Sequence, residues 1–118
     1  MLETKYQSKI IKSLEKLGGR CVNGQFSKAG EADLQCGYPY GGRLYDLAIE
    51  VKTEKAYKHI MSGIELVEGR YKVFNSSVLK QHEKIQIIKL NKVRDLGGLA
   101  ILAWDFKQVQ DYCERELR

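Results

Sequence analysis

The chain has 118 residues, 43% hydrophobic and 30% charged, with one proline and a net charge of +5. That length and apolar content suit a single domain over residues 1–118 with one core, and they argue against long disorder. The basic balance fits a polyanion partner, and no apolar run reaches the length of a membrane span.

In chain order, residues 3 to 17 predict a helix. Leu2, Tyr6, Ile10, Leu14 and Leu17 fall at helical spacing, and Gly18-Gly19 ends it. Arg20 to Val22 is a short strand and residues 23 to 31 a polar, glycine-bearing loop. Asp33 to Tyr38 and Leu44 to Thr53 predict two strands, with Pro39-Tyr40-Gly41-Gly42 as the turn of an antiparallel hairpin. Within residues 54 to 78, Ile64 to Val67 and Arg70 to Phe74, split by Glu68-Gly69, predict a second small hairpin. Residues 79 to 96 form a helix closed by Gly97-Gly98. Leu99 to Trp104 is an apolar strand that a crossover makes parallel to a neighbour. Asp105 then caps a last helix over 106 to 116. The order predicts an α/β fold, a central mixed sheet with helices on its faces. Tyr6 and Trp104 read as core residues. Cys21, Cys36 and Cys113 lack metal-type spacing and read as reduced thiols. With no signal-peptide pattern at the N-terminus, a cytoplasmic location is expected, or the host cytoplasm for a viral protein. No phosphate-cradling Gly-rich loop or dinucleotide fingerprint occurs, so no nucleotide cofactor is expected.

Chemistry concentrates at Asp33 and Glu50-Val51-Lys52. Residues two apart on a strand share a face, so Glu50 and Lys52 point one way and Val51 the other, into the core. A hard cation such as Mg²⁺ takes oxygen ligands and keeps several waters, so two carboxylates suffice for a site shared with a phosphate. Such a metal activates water, and Lys52 stands where it orients that water or stabilises developing charge. Lys55, Lys58, Arg70, Lys72, Lys80 and Lys84 interleave with Tyr57, Tyr71 and Phe74, a mixture suited to contacts with a nucleic-acid backbone. Lys28, ahead of the Gly30-Glu31-Ala32-Asp33 turn, is a further candidate to meet a phosphate. His59 and His82 have no partner at ligand spacing.

These residues resemble the PD-(D/E)XK nuclease superfamily, and more narrowly its virus-type replication-repair nuclease (VRR-NUC) family. The resemblance runs through Glu3 on an early helix, Gly30-Glu31-Ala32-Asp33, Glu50-Val51-Lys52-Thr53, a glutamine helix, and Gly97-Gly98 before Leu99-Ala100-Ile101-Leu102. It covers nearly the whole chain. The family often has proline where Ala32 stands, and the stretch after Thr53 is longer here than expected. The resemblance implies an αβββαβ restriction-endonuclease-like core followed by a C-terminal helix. It implies a Mg²⁺- or Mn²⁺-dependent DNA endonuclease acting on branched DNA such as four-way junctions, as a homodimer. Asp33, Glu50 and the Val51 carbonyl would bind metal, with Glu3 reaching it through water. Lys52 would assist the attacking water. Gln86, preferred to Gln81 for its distance from Gly97, would support the site. Two other readings stand beside it: a DNA-binding module or replication-complex subunit without activity, and an interaction protein whose charge serves only to keep it dissolved.

Overall fold

A computed structural model describes residues 2–23 and 33–118, without the side chains of Leu2 and Asn23. Helix α1 (Leu2–Lys16) leads through Gly18, at φ 96°, into strand β1 (Arg20–Asn23). The loop expected over 23 to 31, with Lys28 and the Gly30-Glu31-Ala32 turn, falls almost wholly outside the described residues. Asp33 is a bend immediately before β2 (Leu34–Tyr40), not the strand's first residue. Strand β3 (Arg43–Val51) follows, so Pro39 and Tyr40 belong to the hairpin's strand, not its turn. The turn is Gly41-Gly42 alone, at φ 58° and 78°, left-handed values that a two-residue hairpin turn demands and glycine supplies without strain.

Thr53, expected at the end of the strand, caps a helix missed in the sequence. Its Oγ1 accepts from the Ala56 N–H at 3.1 Å and starts α2 (Glu54–Met61). The second hairpin is present as β4 (Ile64–Val67) and β5 (Arg70–Val73), turned at Glu68-Gly69. One turn of 3-10 helix (Ser76–Val78) then joins it to α3 (Gln81–Asp95). Strand β6 (Leu99–Ala103) and α4 (Phe106–Leu117) close the chain, with the Asp105 side chain accepting from the Gln108 N–H at 2.9 Å. The expected succession of main elements holds, with α2 and the hairpin inserted between β3 and α3.

The main sheet runs β1-β2-β3-β6. The first three strands form an antiparallel meander. Strand β6 lies parallel to β3, with Glu50 opposite Leu102. Parallel pairing needs a crossover, and α2, the hairpin and α3 supply it. One face of the sheet packs Leu34, Tyr38, Leu47, Ile49 and Val51 against Ile10 and Leu14 of α1 and Val109 and Cys113 of α4. The other packs Ala48, Ala100 and Leu102 against Ile60, Ile64, Tyr71, Ile87 and Leu90. The result is a mixed α/β sheet with helices on both faces.

Two sequence expectations are corrected. Cys21 and Cys36 are joined by a disulfide rather than reduced, because the β1–β2 register places them directly opposite each other; Cys113 alone is free, and it is buried. Tyr6 and Trp104 are half-buried rather than core. They meet edge to face, with ring centroids 6.4 Å apart.

The outer edge of β6 is closed by side chains. Tyr112 Oη accepts from the Ala100 N–H at 3.0 Å and Tyr71 Oη from the Leu102 N–H at 2.9 Å. Arg94 lies between the two rings, 4.5 Å from each centroid, and its Nε donates to the Ala100 carbonyl at 2.7 Å. Buried N–H groups left without an acceptor cost about 1–3 kcal/mol each. Tyr71→Phe and Tyr112→Phe are therefore each expected to lower unfolding free energy by that order in urea titration, and Tyr38→Phe, whose hydroxyl donates to the Glu114 carboxylate, by less.

Candidate active site

The C-terminal end of β3 carries the acidic site. Strand alternation sends Val51 into the core beneath α1 and α4, and Glu50 to the opposite face with Ala48. Glu50 is 1% exposed and Lys52 6%. A carboxylate and an ammonium so deeply buried are rare unless they are paired, and here Lys52 Nζ lies 3.8 Å from Glu50 Oε2. Asp33, just before β2, is held by the Val51 N–H, which donates to its Oδ2 at 3.0 Å. The β2–β3 register produces this, since Leu34 pairs with Ile49 and Asp33 is the next residue outward.

Gln86 of α3 closes the site from the crossover. Its Nε2 donates to Glu50 Oε2 at 3.0 Å. Gln81 is exposed at the start of α3 and makes no such contact, so the choice of Gln86 fits the geometry. Glu3, half-buried on the first turn of α1, is near enough for its carboxyl to be raised by burial and by the charge of Asp33, against the pull of Lys52 and His82. His82, one turn before Gln86 on α3 and exposed, bears on Glu3 only through its charge, and no sequence spacing singled it out. The helical interval of four residues to Gln86 was the available signal.

Glu50 Oε1 and Gln86 Oε1 are both buried, and no hydrogen-bond donor reaches either, so Glu50 can bond to the neighbouring Asp33 only by sharing a proton. Burial, with Asp33 alongside as hydrogen-bond partner and like charge, pushes the Glu50 carboxyl up to about 9, against the opposing charge of Lys52. Two ionised carboxylates cannot sit together in that space without either a shared proton or a cation between them. Among the described residues, no three His, Cys, Asp or Glu side chains group closely enough to hold an ion by themselves. A Mg²⁺-type ion completes its shell with water and phosphate oxygens, so the Asp33–Glu50 pair and the unpartnered Glu50 oxygen fit it.

The expected phosphate contacts divide. Lys55 lines a hollow of about 290 Å³ with Thr53, His59, Lys80 and the acidic Glu83, beginning at the residue after Lys52. Lys58 is exposed and paired with Glu54 at 2.9 Å. Arg70 forms a two-pronged pair with Asp95, at 2.7 and 3.1 Å. That pair lines a hollow with Asp46 and Leu99, at the end of β3 and β6 remote from Glu50, so the structure does not bring Arg70 to the site. Lys72 lies opposite Glu65 in the hairpin, on the face away from buried Tyr71. Lys28 lies outside the described residues.

No family model, curated protein or solved structure matches the chain.

The raised Glu50 carboxyl makes stability depend on pH. Between about 4.5 and about 9 the folded chain holds a proton that the unfolded chain releases, so metal-free stability falls as pH rises through this window. At pH 7 the loss is on the order of 3 kcal/mol. Glu50→Gln should flatten this slope and raise the metal-free melting temperature at pH 8. Mg²⁺ or Mn²⁺ should raise the melting temperature of the parent chain and leave that of the variant nearly unmoved. Calorimetry across pH, with and without divalent cation, checks both outcomes.

Proposed function

We propose that the chain is a metal-dependent DNA endonuclease with a PD-(D/E)XK-type site, acting on branched DNA. The observation that carries this reading is the buried Glu50 carboxylate, with one oxygen unpartnered, between Asp33 and Lys52. Asp33 and Glu50, with the Val51 carbonyl, would hold Mg²⁺ or Mn²⁺. When bound, such an ion supplies an acidified water and neutralises charge on the phosphate.

The chain's own groups do the remaining work. Asp33 is fixed by the Val51 N–H, which engages Oδ2 and leaves Oδ1 for a metal. Gln86 orients the Glu50 carboxylate so that Oε1 stays available. The Lys52 ammonium is held in a nearly dry setting, where its charge acts more strongly on a developing oxyanion than it would in water. Glu3, whose carboxyl feels Asp33 and Lys52, would reach the ion through a water. Lys55 and its neighbours offer positive charge to the flanking phosphates.

One such site cuts one strand. Symmetric cutting of a junction therefore calls for a two-fold homodimer.

The test is cleavage of labelled four-way junction, flap, duplex and single-stranded DNA with Mg²⁺ or Mn²⁺. Asp33→Asn, Glu50→Gln and Lys52→Ala should each lose roughly a hundredfold or more in rate, while retaining DNA binding measured by anisotropy. Undiminished cutting by all three variants would sink the site assignment. Absence of cutting by the parent chain, with DNA binding intact, would leave a binding module. Sedimentation of a monomer at working concentration would exclude paired cuts in a junction, though not nicking.

A further inference from the structure

A second feature lies against the acidic site and is not used by it. Lys5, Tyr6 and Lys9 of α1, Trp104 after β6 and Glu54 at the start of α2 line a cavity of about 310 Å³. Its position follows from the backbone. The Lys52 N–H donates to the Ala103 carbonyl at 3.0 Å, and Trp104 is the next residue. Glu54 follows Lys52 by two residues, and Glu3, whose carboxyl feels Asp33 and Lys52, precedes Tyr6 by less than one helical turn. The cavity and the acidic site therefore open side by side at the same end of the sheet.

The lining is unusual for a packing defect. Trp104 is half-buried and belongs to neither core cluster, although an indole is among the most valuable side chains to bury. Its backbone is pinned, since its N–H donates to Gln108 Oε1 at 2.7 Å as part of the α4 cap. Tyr6 meets the indole in a T-shaped contact, with an interplanar angle of 80°, and both rings line the cavity. Lys5 and Lys9 are exposed and, among the described residues, neither is ion-paired. The one acid at the rim, Glu54, is already engaged by Lys58.

Aromatic rings lining a cavity with unpaired ammonium groups beside them suit a nucleobase with its flanking phosphates. We propose that this cleft takes an unpaired nucleobase of the DNA strand whose phosphate is presented to Asp33, Glu50 and Lys52. The base lies against Trp104, and Lys5 and Lys9 meet the adjoining phosphates. The proposal rests on the nuclease reading for the strand's placement, and it names the cleft that would recognise an unpaired base. In continuous duplex the bases are stacked inside and cannot enter the cleft, so a flap, a junction centre or a single strand is favoured.

Trp104 is the chain's only tryptophan, so its fluorescence reports on the cleft directly. The experiment titrates the whole protein, without divalent cation, with a short oligothymidylate, with an abasic oligonucleotide of the same length, and with blunt duplex. Oligothymidylate should quench Trp104 and bind at least about fivefold more tightly than the abasic strand. Trp104→Leu, checked for a native melting curve, should reduce that preference to near unity. Lys5→Gln with Lys9→Gln should weaken both strands alike. Equal binding of the two strands with unchanged fluorescence in the parent chain overturns the proposal, whatever the variants do. Cleavage with Mg²⁺ separates the two readings. Cutting without quenching removes the base cleft and keeps the nuclease, whereas quenching without cutting under any divalent cation supports the cleft and removes the nuclease.

Discussion

The parallel pairing of β3 with β6 is the constraint on which the other elements depend. A parallel neighbour cannot be reached by a tight turn, so the chain must leave the end of β3, cross a face of the sheet and return. That excursion comprises α2, the β4–β5 hairpin and α3, and it covers the sheet face carrying Ala48, Ala100 and Leu102. Because the strands run the same way, their C-terminal ends lie together. Glu50 and Lys52 at one end meet Ala103 and Trp104 at the other. Gln86 descends on the same spot from the crossover helix. Open α/β sheets commonly bind ligands beyond the carboxyl ends of their strands, and the acidic side chains here gather at such an end.

Burial of the Glu50 carboxylate sets the second level of organisation. An ionised carboxylate 1% exposed would be costly if left alone. Lys52 offsets part of that cost at 3.8 Å and the Gln86 amide part at 3.0 Å, but Asp33 adds to it. The balance leaves the pair of carboxylates one positive charge short. Structural ion pairs in the same chain look different. Arg70 with Asp95 and Lys58 with Glu54 are exposed, closely matched in charge and replaceable by water at little cost. The acidic pair differs from them in being buried, with Glu50 Oε1 reached by no donor.

Most of the sheet was legible because its signals are local. Gly41-Gly42 announces the hairpin, the apolar run Leu99 to Ala103 announces a buried strand, and Asp105 announces the last helix. Alternation along β3 also sufficed to separate Val51 from Glu50 and Lys52. What escaped were features decided by contacts distant in sequence. Helix α2 spans eight residues, too few for a clear periodicity, and its hydroxyl cap at Thr53 was absorbed into the preceding strand. The Cys21–Cys36 bond depends on register across β1 and β2, which odd cysteine arithmetic cannot reveal. Arg70 read as one more basic residue because nothing near it in sequence discloses Asp95, 25 residues away. For the site, residue types at Asp33, Glu50 and Lys52 were enough to suggest grouping. The neighbours His82, Lys80 and Trp104 depend on how α3 and β6 return to the sheet, which no short motif encodes.

The tyrosine hydroxyls on β6 have a consequence beyond this strand's own stability. A sheet ends in rows of N–H and C=O groups that invite another chain to add itself as the next strand. At β6 those groups are already taken by Tyr71, Tyr112 and Arg94, so a foreign strand finds no ladder to extend. Among the described residues, the opposite border of the sheet is β1, four residues long. Growth by strand addition, whether in orderly assembly or in aggregation, is therefore one-sided for this fold. The β6 border is closed to it by single side chains reaching in from three elements, β5, α3 and α4, so loss of any one of these residues would reopen part of the edge.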